Sequence, residues 1–557
     1  MGVAMVGILT LYTGLLLILG RISRRKTGSA SQYLDGGRRF GFWHVFLLMT
    51  AMWGSSMFVV EIDSGYLNGL SAVWFGASTI AMSVFVAVFL LKPFRKIGYL
   101  TNSNLIGRQY GERARDVSAL VIGLTFPIFA MGNVLSAASF LHATLGWSLP
   151  VVLIATTVLV IVYVWAGGIW SLAYTQIANL VLLVVGLLVA TFFVFRAGWN
   201  GHPVLPQHVA HVAHFSGIFG IGSATIVLWF VMSLLNSVSA QAEFQTIASV
   251  REARVGQKAV YWSALVLIPF AVIPTLFGTA ARGYLPHMKG GLLAFPLYLR
   301  EIAPDWAVVL VALGFFASAL IWCAPLMFSG ASSFGLDFLT SAKRPRPAQR
   351  IRTLTRFSLI LQGLLMVIYA LLRPEEIAWW HVFGLTFRNA VIVGPTITFL
   401  LWPVVRPRVV VASMVTGAGS GLLWNALTDF SATKFVFGLN PMWVGTGLSL
   451  MVLMAGTLLV ERRNLCISVM GKRRSLGWFA LAMTLVFLGF VPILLHSTLS
   501  SLVGADAFMA TLSAFFTTMA FVDVRSPMQL MSDVTVEAMV DPVVPSGTAR
   551  KDEEQLA

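Results

Sequence analysis

Long apolar runs alternate with short polar gaps along this chain, and the gaps alternate in charge. A helix that crosses the hydrocarbon core of a bilayer needs about 20 apolar residues. About fourteen runs qualify: 3–20, 43–60, 71–93, 117–140, 148–166, 172–195, 217–240, 260–280, 306–330, 356–372, 380–404, 409–427, 441–460 and 476–496. A further run, 504–522, is shorter and weaker. The first gap holds Arg21, Arg24, Arg25, Lys26, Arg38 and Arg39, and the third holds Arg95, Lys96, Arg108, Arg113 and Arg115. The gap between them, 61–70, has no cation. The later basic gaps carry Arg251, Arg254 and Lys258, then 343–356, Arg406 and Arg408, and 462–474. Lysine and arginine are retained on the cytoplasmic side, so the basic gaps face the cytoplasm and the N-terminus faces outside. Fifteen crossings would leave the C-terminus in the cytoplasm. The pattern predicts an all-α, multi-pass protein of the cell (inner) membrane.

Composition agrees. Of 557 residues, 57% are hydrophobic and 11% charged, with a mean hydropathy of +0.83; soluble domains carry roughly 25% charged residues. The net charge of +16 clusters in short gaps beside helix ends, a positive-inside signature rather than a nucleic-acid surface. Of the two cysteines, Cys323 lies in an apolar run and Cys466 in a basic gap, which predicts no disulfide and no metal site. The first run has no basic segment before it, so it reads as an uncleaved helix. Four regions follow: an N-terminal helix and loop (1–42), a core (43–404, divided into 43–195 and 217–404), accessory helices (405–523), and a tail (524–557) whose prolines and charges read as disordered and cytoplasmic.

Two runs contain small polar residues where an anchoring helix would be uniformly apolar: 50–56 (TAMWGSS) and 233–240 (SLLNSVSA). Such residues either pack helices closely or let the backbone unwind so that freed carbonyls hold an ion or polar solute. The two stretches open successive blocks of five runs, and an odd number per block inverts the second block relative to the first. Interrupted helices at matching positions of inverted halves point to a transporter site at the midplane.

Several segments resemble the sodium:solute symporter family, which includes proline, pantothenate and sugar symporters: 31–40 (SQYLDGGRRF), 104–115 (NLIGRQYGERAR), 165–176 (WAGGIWSLAYTQ), 244–256 (FQTIASVREARVG) and 329–338 (SGASSFGLDF), in family order. The resemblance implies a LeuT-type core of five plus five inverted helices, one helix before it and three to four after. It implies a symporter that moves a small organic solute by alternating access, coupled to sodium. The implied sodium ligands are backbone carbonyls at Thr50 and Trp53 of the first core helix, with the carbonyl and hydroxyl positions of the eighth falling on Ser318, Ile321 and Trp322. The isoleucine and tryptophan side chains offer no oxygen, so the implied site is degenerate. Pro325 bends the same helix and frees a carbonyl. Sodium, proton coupling and uncoupled exchange stay open, as does a solute sensor built on a transporter frame.

Candidate solute-binding residues are Trp53, Ser55, Ser56, Asn133, Trp229 and Asn236. Glu61 and Asp63 follow the first interrupted run, and Arg388 lies roughly 12 Å into the eleventh at 1.5 Å per residue. An ion inside a membrane needs a partner; the expected pairing is Arg388 with Glu61 or Asp63, as an outer gate or a substrate and proton site. His202, His208, His211 and His214 crowd one outer gap, which reads as a solvated loop. The sequence contains no phosphate loop, catalytic triad or clustered acids and histidines at one depth, so no enzyme activity and no cofactor besides a coupling Na+ or H+ is expected. Partners are the solute and the lipid bilayer.

Overall fold

The computed structural model describes residues 2–23, 39–97, 101–207, 209, 214–340, 348–373, 377–431, 435–467, 471–495 and 502–524. The expected disordered tail, most of the 31–40 motif, and His208 and His211 lie outside these residues. Helices follow the apolar runs: α1 (Gly2–Ser23), α2 (Phe42–Asn68), α3 (Val73–Phe85, carried through a π-helical turn to Ile97), α4 (Asn102–Leu145), α5 (Leu149–Trp199), α6 (Ser223–Ser239), α7 (Gln241–Ala248), α8 (Ala253–Val266), α9 (Ile268–Tyr284), α10 (Gly291–Ile302), α11 (Asp305–Ser332), α12 (Ala348–Leu372), α13 (Ile377–Leu401), α14 (Pro407–Leu427), α15 (Pro441–Val460), α16 (Gly471–Leu495) and α17 (Val503–Phe521). Two short strands, Leu465–Ile467 and Val522–Val524, pair antiparallel after α15 and α17.

Twelve helical stretches are each long and apolar enough to cross a membrane, and the bent pair α6–α7 makes thirteen. One of the twelve, Phe42–Ile97, is two helices joined by a 3-10 turn at Gly69–Ala72. The 51 residues of α5 would extend about 76 Å if straight, more than twice the bilayer core, and α5 indeed doubles back. Thr157 and Ile161 border Gly363, and Trp165 packs edge-on against Phe357. The chain then climbs α11, from Gln176 beside Ile321 to Gly186 beside Gly314. The described residues therefore make fifteen crossings, the weak run 504–522 included.

Ten of these form two inverted halves, α2–α5 and α6–α13. The packing repeats under exchange of the halves. The first helix of each packs on the second of the other (α2 on α8 and α9; α6 on α3), and the third helices, α4 and α11, pack on one another. Each third helix also packs on the fifth of the opposite half, α4 on α13 and α11 on α5. α11 is the axis of the bundle: 94% of its apolar window is buried, against 17% for α16, which faces outward. Leu11, Phe192, Leu364, Phe479 and Ile493 are left uncovered on the perimeter, a surface suited to lipid.

Small residues set the closest approaches. A Cβ on Gly278 would lie 2.1 Å from the carbonyl oxygen of Ile62, and one on Gly65 2.4 Å from that of Thr275, so α2 and α9 touch backbone to backbone. Such a contact tolerates no methyl group. Gly278→Ala is expected to cost about 1–3 kcal/mol and to lower the thermal midpoint of the purified protein. Gly419→Ala, where nothing stands within 4 Å, should leave that midpoint unchanged.

Candidate functional site

The path between the two halves is broken at one point. α6 ends at Ser239, Ala240 leaves the helical conformation (φ −75°, ψ 67°), and α7 continues at an angle of 55°. In hydrocarbon a broken helix must find other partners for its freed backbone groups, and here side chains supply them. Asn102 Nδ2 donates to Ser239 O (3.0 Å), while Gln241 Oε1 accepts from Asn102 N (2.8 Å) and Gln241 Nε2 donates to Ser329 O (3.0 Å). Nearby, Thr101 and Ser103 hydroxyls both donate to Asp337 Oδ2, at 2.6 and 2.5 Å. This polar net ties α4, α7 and α11 together at the basic end of the bundle.

A cavity opens beside the break. It is bounded by Trp53 and Ser56 of α2, Phe75 and Thr79 of α3, Phe126 and Phe129 of α4, Met232, Ser233 and Asn236 of α6, Ala240 at the break, Glu243 of α7, Trp322 of α11, and His381 and Arg388 of α13. Water centres can occupy about 60 Å³ of it, room for a few waters at roughly 10–15 Å³ each. Toward the end opposite the basic loops lies a second space of about 80 Å³, lined by Asp63, Trp229 and Leu292 among others. Phe75, Met232 and His381 border both spaces and form the partition between them.

Arg388 is 4% exposed. Its guanidinium stands 4.3 Å from the Phe129 ring centre and 5.1 Å from that of Phe126, a cation–π setting, and it donates to Asn236 Oδ1. The expected pairing with Glu61 or Asp63 is not made. Glu61 Oε2 accepts from Thr275 Oγ1 (3.0 Å), and Asp63 Oδ1 accepts from Gly291 N (2.8 Å) at the start of α10. Asp63 thus fastens α2 to α10, and Glu61 fastens it to α9 through one of its two oxygens.

Other expectations divide. Trp53, Ser56 and Asn236 line the cavity, and Trp229 packs edge-on against the partition residue Phe75 at 5.7 Å. Ser55 and Asn133 do not line it. Ser55 O accepts from Asn133 Nδ2 (3.1 Å) and from Ser318 Oγ (3.1 Å), a node joining α2, α4 and α11. α2 is not unwound: residues 50–56 stay within continuous helix, and the node uses the second lone pair of a helical carbonyl. The side chains at the implied sodium positions point apart, and the carbonyls of Thr50 and Trp53 lie within continuous helix. The Thr50 hydroxyl faces away, to Ser263 Oγ (3.1 Å), Ser318 belongs to the node, and Trp53 faces the cavity beside Trp322, ring centres 5.3 Å apart. Glu243 and His381 line the cavity without having been singled out from the sequence. Among the described residues there is no cluster of three potential metal ligands, and both cysteines are free.

Comparison with known proteins gives the same frame. The model of the sodium:solute symporter family matches residues 33–417. High-affinity choline transporter 1 of Drosophila melanogaster is 24% identical over 419 residues, which cover 67% of this chain and 63% of that protein. The sodium/proline symporter of Staphylococcus aureus is 21% identical over 80% of this chain and 90% of its own length. The solved structure of a substrate-bound, outward-open Na+-coupled sialic acid symporter superposes with a TM-score of 0.65 at 17% identity, covering 82% of this chain and 98% of that one.

The node and the cavity make different demands. Ser318→Ala is expected to lower thermal stability by about 0.6–2 kcal/mol, the range for interhelical hydrogen bonds in membranes. Ser56→Ala, at the cavity wall, should leave it within about 0.5 kcal/mol. Thermal unfolding of the two purified variants separates the roles.

Proposed function

The chain belongs to the sodium:solute symporter family, and from that premise we propose that it is a secondary active symporter carrying a small organic solute through the central cavity by alternating access. The observation that carries this reading is the position of the cavity. It lies between the two inverted halves, against the break at Ala240, with a different closure at each end. Toward one end the closure is three side chains, Phe75, Met232 and His381. Toward the basic end it is the hydrogen-bonded net around Gln241 and Asp337. A site closed by separate groups on its two sides can open to either side in turn.

Solute contacts in this reading come from Trp53, Ser56, Asn236 and Arg388, with Trp229 supporting the partition. The aromatic walls suit an apolar body, and the Arg388–Asn236 pair suits a hydrogen-bond acceptor on the solute. Glu61 and Asp63 act as fasteners of α2 at the outer vestibule. A cation gradient supplies the energy. Family membership supports sodium, although the side chains of Thr50, Trp53 and Ser318 point apart in this conformation. The protein sits in the cell membrane with its basic end in the cytoplasm, so α1 begins outside and the chain beyond α17 is cytoplasmic.

Protein purified into liposomes and offered a panel of amino acids, quaternary amines and sugar acids is expected to accumulate at least one solute above equilibrium, and only under an inward cation gradient. Equilibration without accumulation, or binding without flux, contradicts symport. For the accumulated solute, Arg388→Gln should raise the half-saturating concentration about tenfold or more, since hydrogen bonds to a charged group contribute about 1.5–3 kcal/mol. An unchanged value removes Arg388 from the site.

A further inference from the structure

Glu243 has no role in the closures or contacts described so far. It sits on α7, three residues beyond the break, is 1% exposed, and lines the central cavity. Neither carboxylate oxygen has a hydrogen-bond partner. Trp53 Nε1 is the donor that approaches it, short of hydrogen-bond geometry, and is itself without a partner. The same cavity is walled by Trp53, Trp322 and Leu326 and carries the hydroxyls of Ser56, Thr79 and Ser233. Thus a carboxyl group occupies the floor of the site beside the two tryptophans, Trp53 and Trp322, that stand at the family's ion positions.

We propose that Glu243 is a proton-binding site at the floor of the central cavity, through which solute movement is coupled to a proton. The inference rests on the symport reading above and names its coupling ion. A bare carboxylate buried without donors costs several kcal/mol, and a bound proton removes that charge. Opening the cavity to water on either side supplies the missing donors. The proton is taken from water at one face of the membrane and returned to water at the other, with no covalent change in the solute.

A sodium ion at the same place would need several oxygen ligands. The carbonyls of α2 are held within continuous helix, and Trp53 and Trp322 bring no side-chain oxygen to the cavity. Three other polar groups of the cavity are engaged, Ser233 Oγ with Ser78 Oγ (2.9 Å), Thr79 Oγ1 with Phe75 O (3.2 Å) and Asn236 Oδ1 with Arg388, which leaves the Ser56 hydroxyl as a single further oxygen on the wall. A proton needs only the carboxyl group itself.

The elements packed most closely on α7 are α2, the last turns of α3, and α11; the polar net adds the start of α4, whose Asn102 N donates to Gln241 Oε1, and the carboxyl of Asp337, held by Thr101 and Ser103. Within α11 the ionisable groups are Asp305, at the far end, and Cys323, whose sulfur contacts Met327 and Met366. The end of α3 carries Lys92 and Lys96, both exposed, and Arg95, which donates to Arg251 O. On α2, His44 stacks on Phe40, while Glu61 and Asp63 are bonded at the opposite end. Across the cavity stand His381 and Arg388 of α13, and His381 also borders the vestibule that contains Asp63. Protonatable groups therefore occur at three levels, from the vestibule to the floor, the arrangement of a proton relay.

Infrared difference spectra between acid and alkaline buffer test the site directly, using liposome-reconstituted protein in sodium-free potassium salts. The expected result is a protonated-carboxyl band that disappears as pH rises. It should be missing in Glu243→Gln, displaced in midpoint by Glu243→Asp and Trp53→Phe, and unaffected by added sodium chloride. A Glu243→Gln spectrum identical to the wild type overturns the proposal, as does an unmoved midpoint in Glu243→Asp should the glutamine variant fail to fold. Loss of the band on adding sodium chloride at fixed pH overturns it in favour of a sodium site. Absence of solute accumulation under every gradient would defeat the symport reading while leaving this spectrum intact, so the two failures are told apart.

Discussion

A polypeptide in hydrocarbon must satisfy its backbone hydrogen bonds internally, and the break at Ala240 meets that requirement with borrowed side chains. Asn102 takes up the carbonyl of Ser239 that a continuous helix would have paired, and Gln241, just past the break, is anchored in turn to Asn102 N and Ser329 O. The partners come from α4 and α11, the third helices of the two halves, which already pack on one another. The bend is thereby fixed where the halves meet. The cavity, the approach of Trp53 to Glu243 and the placement of Asn236 beside Arg388 all follow from it.

The two ends of the cavity are closed by different physics. The partition of Phe75, Met232 and His381 is side-chain packing, which rotamer changes and small helix movements can open at modest cost. The basic end is closed by charge-assisted hydrogen bonds to Asp337 and by the Gln241 net, which release together or not at all. Close backbone contacts such as Gly65 with Thr275 and Gly186 with Gly314 favour movement of helix groups as rigid units. Two discrete arrangements, rather than a graded deformation, are what alternating access requires.

Much of this was legible from the chain. Helix count, inversion of the halves and the meeting of Trp53, Ser56 and Asn236 at one cavity follow from run lengths, charge alternation and polar residues in apolar surroundings. Three features were not legible, each for a physical reason. The stretch 50–56 looks like a place to unwind, but its small residues admit neighbours: Gly54 faces the Phe270 ring, 3.3 Å from where a Cβ would stand. Its spare carbonyl capacity is used by Asn133 and Ser318 without opening the helix. Glu61, Asp63 and Arg388 carry opposite charges at the right depth to pair, yet the acids find a hydroxyl and a backbone N–H closer at hand. Glu243 lies beyond residue 240, where the apolar run ends and hydropathy gives no sign of a membrane helix. The helix bends there and continues, which hydropathy cannot distinguish from a terminus.

Alternating access is tested most directly at Ser56, a small side chain on the cavity wall. With Cys323 and Cys466 replaced by alanine, a Ser56→Cys protein in vesicles of each orientation should react with a membrane-impermeant thiol reagent from either face. A transported solute or an imposed ion gradient should shift the balance between the two rates. Reaction from one face alone under all conditions, or from neither, would contradict a cavity that opens in turn to the two sides.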